Sequence, residues 1–293
     1  MKQKLFALLA CSSCLALPAA HAAEHPWQNL LDKDLSKFDV YLSYPGTVIS
    51  SVIAGTAPKD LKPIGLNHDD KHVFTVVEDH GEPILRVSGE IYGAAATKQE
   101  FDNFHFRAKV KWGEKKWEPR LNELKDSGVL YYSVGEFGTD YWHSWMEAQE
   151  FQLIEGGIGD YWTITNAQMD IRASKPEGDK FYTFSPKAPW LHFAAEKPGR
   201  GAVANYCQRG EYKELPNAWN EIDLICFKGS CVHIANGSVV MALKNSSHEV
   251  DGQLKPLLRG KIQLQSEAAE VFFKDVQIQA IDSMPKQYAK YFE

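Results

Sequence analysis

The chain has 293 residues, of which 44% are hydrophobic and 24% are charged, and this balance excludes wholesale disorder. Its 32 basic and 38 acidic residues give a formal net charge of −6 without any Lys/Arg block, so we expect no nucleic-acid partner. Five of the eight tryptophans fall between Trp112 and Trp162, which makes that segment the first candidate for function.

The N-terminus is typical of an export signal. Two lysines within the first four residues precede an apolar run over 5–17, and small residues at Ala20 and Ala22 favour cleavage after Ala22. The alternatives are a retained membrane anchor, for which the run is shorter than the ~20 residues of a spanning helix, and a lipoprotein attached at Cys11.

The sequence thus predicts a signal peptide over 1–22 and a single mature domain over 23–293, which would be secreted or periplasmic. No later segment is long and apolar enough to span a membrane. The sequence does not define an oligomeric state.

Alternation of apolar and polar residues predicts strands along the mature chain. In 104–112, Phe, Ala, Val and Trp alternate with His, Arg and Lys, which gives one buried face and one wet face. Similar runs, separated by Gly and Asn/Asp turn signals, are 128–134, 148–153, 221–226, 232–235, 261–265 and 271–278. No long amphipathic helix is evident, so the pattern favours an all-β sandwich or barrel.

Three further segments are predicted to lie outside the strands. Residues 40–70 and 175–200 are rich in turn-forming residues and are predicted to be long loops. The tail after Ile281 is predicted to be peripheral.

Three cysteines remain in the predicted mature chain: Cys207, Cys226 and Cys231. A two-residue hairpin turn after Phe227 would place Cys226 directly opposite Cys231, where Cα atoms approach to about 4.5 Å. Both a disulfide and a pair of small buried thiols are compatible with this geometry.

The densest group of chemical side chains lies between Tyr141 and Trp162. Strand alternation places Glu150 and Gln152 on one face, opposite Phe151. Polar side chains flanked by Trp and Tyr are typical of a carbohydrate site, because aromatic rings stack on sugars while carboxylates and amides bind hydroxyls. Glu155 would face the other side unless the strand bulges or ends near it. Either the two glutamates share a cleft, or both are solvated strand residues.

Several motifs resemble the 3-keto-disaccharide hydrolase domain family, whose fold is similar to concanavalin A-type lectins and glucanases. In this chain the matching segments read LLDKDL at 30–35, NFHFR at 103–107, DSGVLY at 126–131, EFQLIEG at 150–156, VHIANG at 232–237, GKIQLQS at 260–266 and EVFFKDV at 270–276. Lys33 stands where the family usually has glycine. These matches run in the family's order across nearly all of the predicted mature chain.

The resemblance implies an all-β fold, a concanavalin A-like jelly-roll sandwich of two antiparallel sheets. It also implies an enzyme that cleaves sugars oxidised at C3: removal of the C2 proton, elimination of the glycosidic oxygen, and addition of water. On this basis Glu150 is assigned as base, with Glu155 or His143 as acid, and Gln152 as a ligand of a hydroxyl or the ketone. Further substrate-binding candidates are Trp145, Trp162, Tyr131, Arg107, His233 and Gln265. His233 is expected on the open sheet face or, alternatively, as a structural histidine bonded across the hairpin.

Two alternatives remain at this point. Laminarinase-type glucanases with the same fold carry E-x-D-x-x-E, whereas this chain has Gln152 at the central position, which weakens but does not eliminate a conventional endo-glycosidase. A non-catalytic, lectin-like carbohydrate-binding module is the other. The expected partner is a carbohydrate; no cofactor is required, and no acidic loop demands the calcium that this fold can bind.

Overall fold

The computed structural model describes residues 25–195, 201–211 and 213–293. The signal peptide predicted over 1–22 lies outside these residues. Two antiparallel sheets face each other, as the sequence and the family resemblance predicted. Within the described ranges, no helix is long and apolar enough to cross a membrane.

The strands, in chain order, are β1 Gln28–Asn29, β2 Phe38–Pro45, β3 Gly65–Leu66, β4 Phe74–Asp79, β5 Glu82–Val87, β6 Ile91–Thr97, β7 Phe104–Lys116, β8 Asp126–Val134, β9 Glu147–Ile154, β10 Asp160–Ile164, β11 Ala167–Ser174, β12 Thr183–Phe184, β13 Trp190–Ala194, β14 Tyr206–Cys207, β15 Asn220–Phe227, β16 Ser230–Ala235, β17 Ser238–Val250, β18 Gln253–Pro256, β19 Lys261–Ser266 and β20 Ala269–Ala280. Two short helices are α1 Gly46–Ile53 and α2 Lys286–Ala289.

The large sheet has twelve strands in the order β12-β11-β17-β16-β15-β7-β20-β5-β4, with β1, β13 and β18 paired to β20, β11 and β17. The small sheet has eight strands in the order β14-β10-β9-β8-β19-β6-β2-β3. The inner faces of the two sheets form the main core, in which Phe151 of the small sheet packs with large-sheet residues such as Leu224 and Met241. All seven strand-like runs predicted from the sequence lie within strands.

Two of the predicted loops contain regular structure. Residues 38–45 form β2 and residues 46–53 form α1, so the segment over 40–70 is only partly loop. The segment over 175–200 contributes β12 and β13 to the large sheet. The turn-forming residues around these elements dominated the sequence signal and concealed them.

The tail after Ile281 covers an apolar patch on the outer face of the large sheet. This patch is formed by Ile225, Val232 and Ile234, and it contacts partly buried residues from the tail, including Met284 and Phe292. The hairpin of β15 and β16 is therefore apolar on both faces. A strand that is covered on both faces is apolar at successive positions, so its sequence does not show which face is inner.

The same hairpin carries the cysteine pair. Cys226 and Cys231 are directly opposed, their Cα atoms are 4.2 Å apart, and their sulfurs form a disulfide. The pairing predicted from the hairpin register is therefore present. Cys207 is a buried free thiol in the small sheet.

Replacing both Cys226 and Cys231 by serine should lower the free energy of unfolding by about 2 kcal/mol, because a short loop gains freedom in the unfolded chain. Urea unfolding of wild type with and without reductant, beside the double variant, measures this. Cys207→Ser is the control and should keep the wild-type response to reductant. A wild type insensitive to reductant would contradict the assignment.

Candidate active site

A cavity of about 390 Å³ opens on the outer face of the small sheet, and we call it the cleft. It is lined by Arg120, Asp126, Asp140, Tyr141, Trp142, Trp145, Glu150, Gln152, Trp162, Thr163, Ile164, Thr165, Asn205, Gln265 and Glu267. Three tryptophans and four carboxyl groups therefore meet in one concave surface, a combination typical of small-molecule sites.

The register of the small sheet brings the polar side chains of the cleft together. Residue 152 on β9 is directly opposite Gly128 on β8, and Glu150 is flanked by Leu130 and Trp162 on the neighbouring strands. The sequence-based prediction that Glu150 and Gln152 share a face is confirmed by this pairing. Directly opposed residues of antiparallel strands project to the same side of the sheet.

Gly128 provides the space in which the carboxyl of Glu150 lies. A Cβ atom at this position would stand 2.3 Å from Glu150 Oε1 and 2.9 Å from Gln265 Oε1. Both of these oxygens are buried and have no hydrogen-bond partner. Unpartnered buried acceptors are rare in native structures, so each oxygen is available to a donor that enters the cleft.

Arg120 is the cation of the cleft, and it contacts two of the carboxyls. Its Nη2 lies 2.5 Å from Asp126 Oδ2, and its Nη1 lies 3.1 Å from Glu267 Oε1. The other oxygen of Asp126 accepts a hydrogen bond from Gln152 Nε2 at 2.7 Å. Asp126 is thus held by both oxygens, whereas Glu267 is held by one.

Burial and mutual repulsion hold protons on these carboxyls. Burial, and then the charges of Glu267 and Asp126, raise the pKa of Glu150 well above its usual value. Burial and the charge of Asp126 also raise the pKa of Glu267, and the guanidinium of Arg120 opposes this rise. Arg120 contacts Glu267 and not Glu150, so its positive charge favours the ionised form of Glu267 more directly than that of Glu150.

Two further aspartates fix the walls of the cleft. Asp140 accepts backbone hydrogen bonds from Trp142, Ser144 and Trp145 at 2.6–2.7 Å, which holds the loop that carries the tryptophans. Trp145 in turn donates from Nε1 to the carbonyl of Gly93 at 2.9 Å. These bonds orient the indole rings before any ligand binds.

Asp160 fixes the opposite wall by anchoring the segment over 201–211. It accepts hydrogen bonds from the hydroxyl of Tyr206 and from the backbone amide and Nη1 of Arg209, the latter two at 2.9 and 3.0 Å. Asp160 thus holds this segment in place and does not itself line the cleft.

An apolar cover fills the rest of the outer face of the small sheet. It is built by Ile49 of α1, Trp145 and the half-buried rings of Tyr44, Phe137 and Trp142, and it packs on Tyr92, Ala94, Leu130 and Ala148. This cover leaves the cleft as a short depression beside it, and not as a groove across the whole sheet.

Five of the predicted site residues line the cleft: Glu150, Gln152, Trp145, Trp162 and Gln265. These residues were predicted from strand alternation or from their position near the segment that carries Glu150.

Glu155 and His143 lie apart from the cleft lining. Glu155 follows the last residue of β9, is 40% exposed, and forms an ion pair with Lys125 at 3.2 Å. His143 is exposed in the loop held by Asp140, with φ of 55°. β9 does end just before Glu155, but the chain then directs this side chain toward Lys125 and not back beside Glu150.

Tyr131 and His233 lie between the two sheets. The Tyr131 hydroxyl and His233 Nε2 are 3.1 Å apart, and the His233 ring stacks on Phe151 with centroids 4.3 Å apart. Burial lowers the pKa of His233 to about 3, so the ring is neutral. The expectation of an open-face His233 was wrong because Val232 and Ile234 pack under the tail. His233 is a structural histidine, as the alternative has it, but its partners are Tyr131 and the carbonyl of Gly159 and not residues across its hairpin.

Arg107 lies on the outer face of the large sheet. Its Nε donates to Gln277 Oε1 at 2.8 Å, and its guanidinium stacks 3.8 Å above the ring of Trp27. It is therefore on the opposite side of the sandwich from the cleft.

Four charged residues of the cleft were not predicted from the sequence: Arg120, Asp126, Asp140 and Glu267. Two of these residues could have been predicted from strand alternation. Asp126 is two residues from Gly128 and Glu267 is two residues from Gln265, so each pair is expected on the same sheet face. Arg120 comes from an irregular segment that follows a cis Glu118–Pro119 bond, and no local pattern marks it. In the described part of the chain, no group of three His, Cys, Asp or Glu side chains is arranged to hold a metal ion.

Comparison with known families gives one match over most of the chain. The family described as the 3-keto-alpha-glucoside-1,2-lyase-like domain matches residues 26–279. No curated protein matches the chain significantly.

Solved structures resemble the chain at low identity. A candidate glycosyl hydrolase from Parabacteroides distasonis is 16% identical, with a TM-score of 0.46 and coverage of 87% of this chain and 100% of that one. The alginate lyase AlyC3 is 12% identical, with a TM-score of 0.44 and coverage of 84% and 91%. A carbohydrate-binding module from Bacillus subtilis is 8% identical, with a TM-score of 0.38 and coverage of 71% and 92%.

Replacing Arg120 by methionine should destabilise the protein strongly at neutral pH, by about 3–5 kcal/mol, because it leaves buried carboxylates without their cation. The loss should shrink at pH 5, where the carboxyls take up protons. Urea unfolding at pH 5 and pH 8 measures both values. Arg107→Met, which removes an exposed guanidinium, is the matched control and should cost less than about 1 kcal/mol. Equal, pH-independent losses in the two variants would contradict the assignment.

The proton held by Glu150 should also make stability depend on pH. Because the folded pKa lies above the ordinary value of 4.5, the stabilising contribution is complete below pH 4.5 and is lost as the pH rises toward the folded pKa. Glu150→Gln should therefore flatten the fall in unfolding free energy between pH 5 and pH 8. An unchanged slope in the variant would show that Glu150 is ionised throughout this range.

Proposed function

The chain belongs to the 3-keto-alpha-glucoside-1,2-lyase-like family, and on that premise we propose that it cleaves 3-keto-glycosides by C2 deprotonation and elimination at C1. The observation that carries the proposal is a pair of buried carboxyls, Glu150 and Glu267, of which only Glu267 contacts Arg120. When such a pair holds one proton, the ionised carboxylate can act as a base and the protonated carboxyl as an acid.

The environments of the two carboxyls suit different roles. Glu267 is the base, because the guanidinium of Arg120 favours its ionised form and one of its oxygens is not held by Arg120. Glu150 is the acid, because burial raises its pKa and its Oε1 has no hydrogen-bond partner within the protein. This assignment reverses the base role that the family resemblance suggested for Glu150.

The elimination uses both groups in one direction. Glu267 takes the C2 proton, the C2–H electron pair forms an enediolate with the C3 ketone, and Gln152 donates its second amide hydrogen to the ketone oxygen. The enediolate then expels the glycosidic oxygen from C1, and Glu150 transfers its proton to that oxygen. The products are an alcohol and an enone-like sugar, with Glu267 protonated and Glu150 ionised.

Hydration returns both carboxyls to their first state. The oxygen of a water molecule bonds to C1 while the Glu150 carboxylate takes a proton from that water. Glu267 returns its proton to C2. The net reaction is hydrolysis of the glycoside. If the enone-like sugar leaves before water adds, the same site acts as a lyase.

The apolar cover favours short substrates. Ile49, Trp142 and Trp145 occupy the face that a long polysaccharide would need to cross the sheet. A glycoside of one or two rings fits beside this cover, consistent with a disaccharide.

A conventional retaining glycosidase is less favoured by the site. Such an enzyme needs two carboxyls about 5–5.5 Å apart at the scissile bond, and Glu155, the expected partner of Glu150, is paired with Lys125 outside the cleft. A lectin-like binding module is the other alternative, and activity measurements distinguish it from an enzyme.

Isotope exchange with a 3-keto-glycoside in deuterated water tests the proposed roles. Wild type should release the alcohol and incorporate deuterium at C2. Glu150→Gln should lose about 10²–10⁴-fold in turnover, because an amide cannot protonate the leaving oxygen, yet it should still exchange the C2 proton of the bound substrate. Glu267→Gln should lose both turnover and exchange.

Other outcomes assign the chemistry differently. Loss of exchange in Glu150→Gln alone would make Glu150 the base. Cleavage of the unoxidised glycoside without deuterium at C2 would indicate direct displacement. Binding of the sugar without cleavage of either substrate would indicate a lectin. Arg107→Ala, on the far side of the sandwich, is the control and should leave turnover unchanged.

A further inference from the structure

An aromatic strip continues the cleft toward the edge of the small sheet. Trp162 lines the cleft, and β14 pairs with β10 so that Tyr206 lies directly beside it, with ring centroids 4.7 Å apart. Phe181 packs edge-on against Tyr206 at a centroid distance of 4.9 Å. These three rings form the aromatic strip.

The rings of the strip are not part of the core. Phe181 is 37% exposed, and Trp162 and Tyr206 are half-buried, while none of the three belongs to an apolar core cluster. The strip is nevertheless fixed, because the Tyr206 hydroxyl donates to the buried carboxyl of Asp160. Because these side chains are already ordered, little conformational entropy is lost when a ring stacks on them.

The direction of the strip matches the space that the cleft leaves free. The apolar cover blocks the side of Trp142 and Trp145, so a second ring attached to a sugar near Glu150 must lie toward Trp162. Asn205 also lines the cleft and directly precedes Tyr206, so this residue lies at the start of the strip. An amide beside aromatic faces suits a ring that carries both hydroxyls and C–H groups.

We propose that the aromatic strip binds the leaving part of the glycoside, and that this part is a second sugar ring. The inference rests on the proposed function for the position of the cleaved bond near Glu150. The C–H face of the second ring stacks on the strip, and Asn205 binds a hydroxyl at the junction. Phe181 is therefore a specificity-determining residue for disaccharides.

Kinetics of Phe181→Ala on two substrates test this inference. For a 3-keto-disaccharide, KM should rise about 3–10-fold with kcat unchanged, because a ring contact is lost. For a methyl 3-keto-glucoside, which lacks the second ring, neither constant should change. Phe181→Tyr should restore the wild-type KM, and Leu254→Ala, an exposed apolar residue on the large sheet, should have no effect. Equal effects on the two substrates, or no effect on the disaccharide, would overturn the inference.

A phenyl 3-keto-glucoside identifies the occupant. If Phe181→Ala weakens only this substrate and leaves the disaccharide unchanged, the strip binds aromatic aglycones and the sugar assignment is wrong. A loss confined to the disaccharide supports the assignment.

Calorimetric titration with unoxidised sugars separates this inference from the proposed reaction. Wild type should bind the disaccharide more tightly than the monosaccharide, and Phe181→Ala should abolish the difference. If that result holds while no keto-sugar is cleaved, the strip is supported and the proposed reaction fails. If keto-sugars are cleaved and Phe181→Ala binds both sugars as wild type does, the reaction stands and the strip is rejected. Absence of sugar binding by wild type also rejects the strip.

Discussion

Burial of the small sheet on both faces is the constraint on which the cleft depends. Its inner face packs on the large sheet, and its outer face lies under α1, the loop held by Asp140 and the segment anchored by Asp160. Side chains on the outer face are therefore removed from water even though they point away from the core. A carboxyl placed there must find a cation, hold a proton or meet a ligand.

The three carboxyls around Arg120 show how the chain meets this constraint. One guanidinium faces Asp126 and Glu267, while Glu150 is left to amides and tryptophans. Full ionisation of all three carboxyls would leave two uncompensated charges in a poorly hydrated space, so proton uptake is the less costly response. The shortage of cations in the cleft thus favours proton uptake by its carboxyls over full ionisation.

Strand alternation accounts for what the sequence could predict, and its breakdown accounts for the rest. The face shared by Glu150 and Gln152 and the opposition of Cys226 and Cys231 follow from a period of two. His233 was expected on the wrong face because both sides of its hairpin are apolar, and the tail that covers one side is more than forty residues distant in sequence. Arg120 reaches the cleft from an irregular segment, so its role depends on tertiary structure alone.

The position of the last two strands has a consequence for how the chain acquires this architecture. β19 lies between β8 and β6 in the small sheet, and β20 lies between β7 and β5 in the large sheet. Each sheet therefore stays in two separate pieces until residues 261–280 insert between strands formed more than a hundred positions earlier. Such non-local pairing slows folding, and the sheets can be completed only after residues 261–280 have been synthesised. A nascent chain that ends before Lys261 would expose two pairs of unpaired strand edges, the features that recruit chaperones or lead to aggregation.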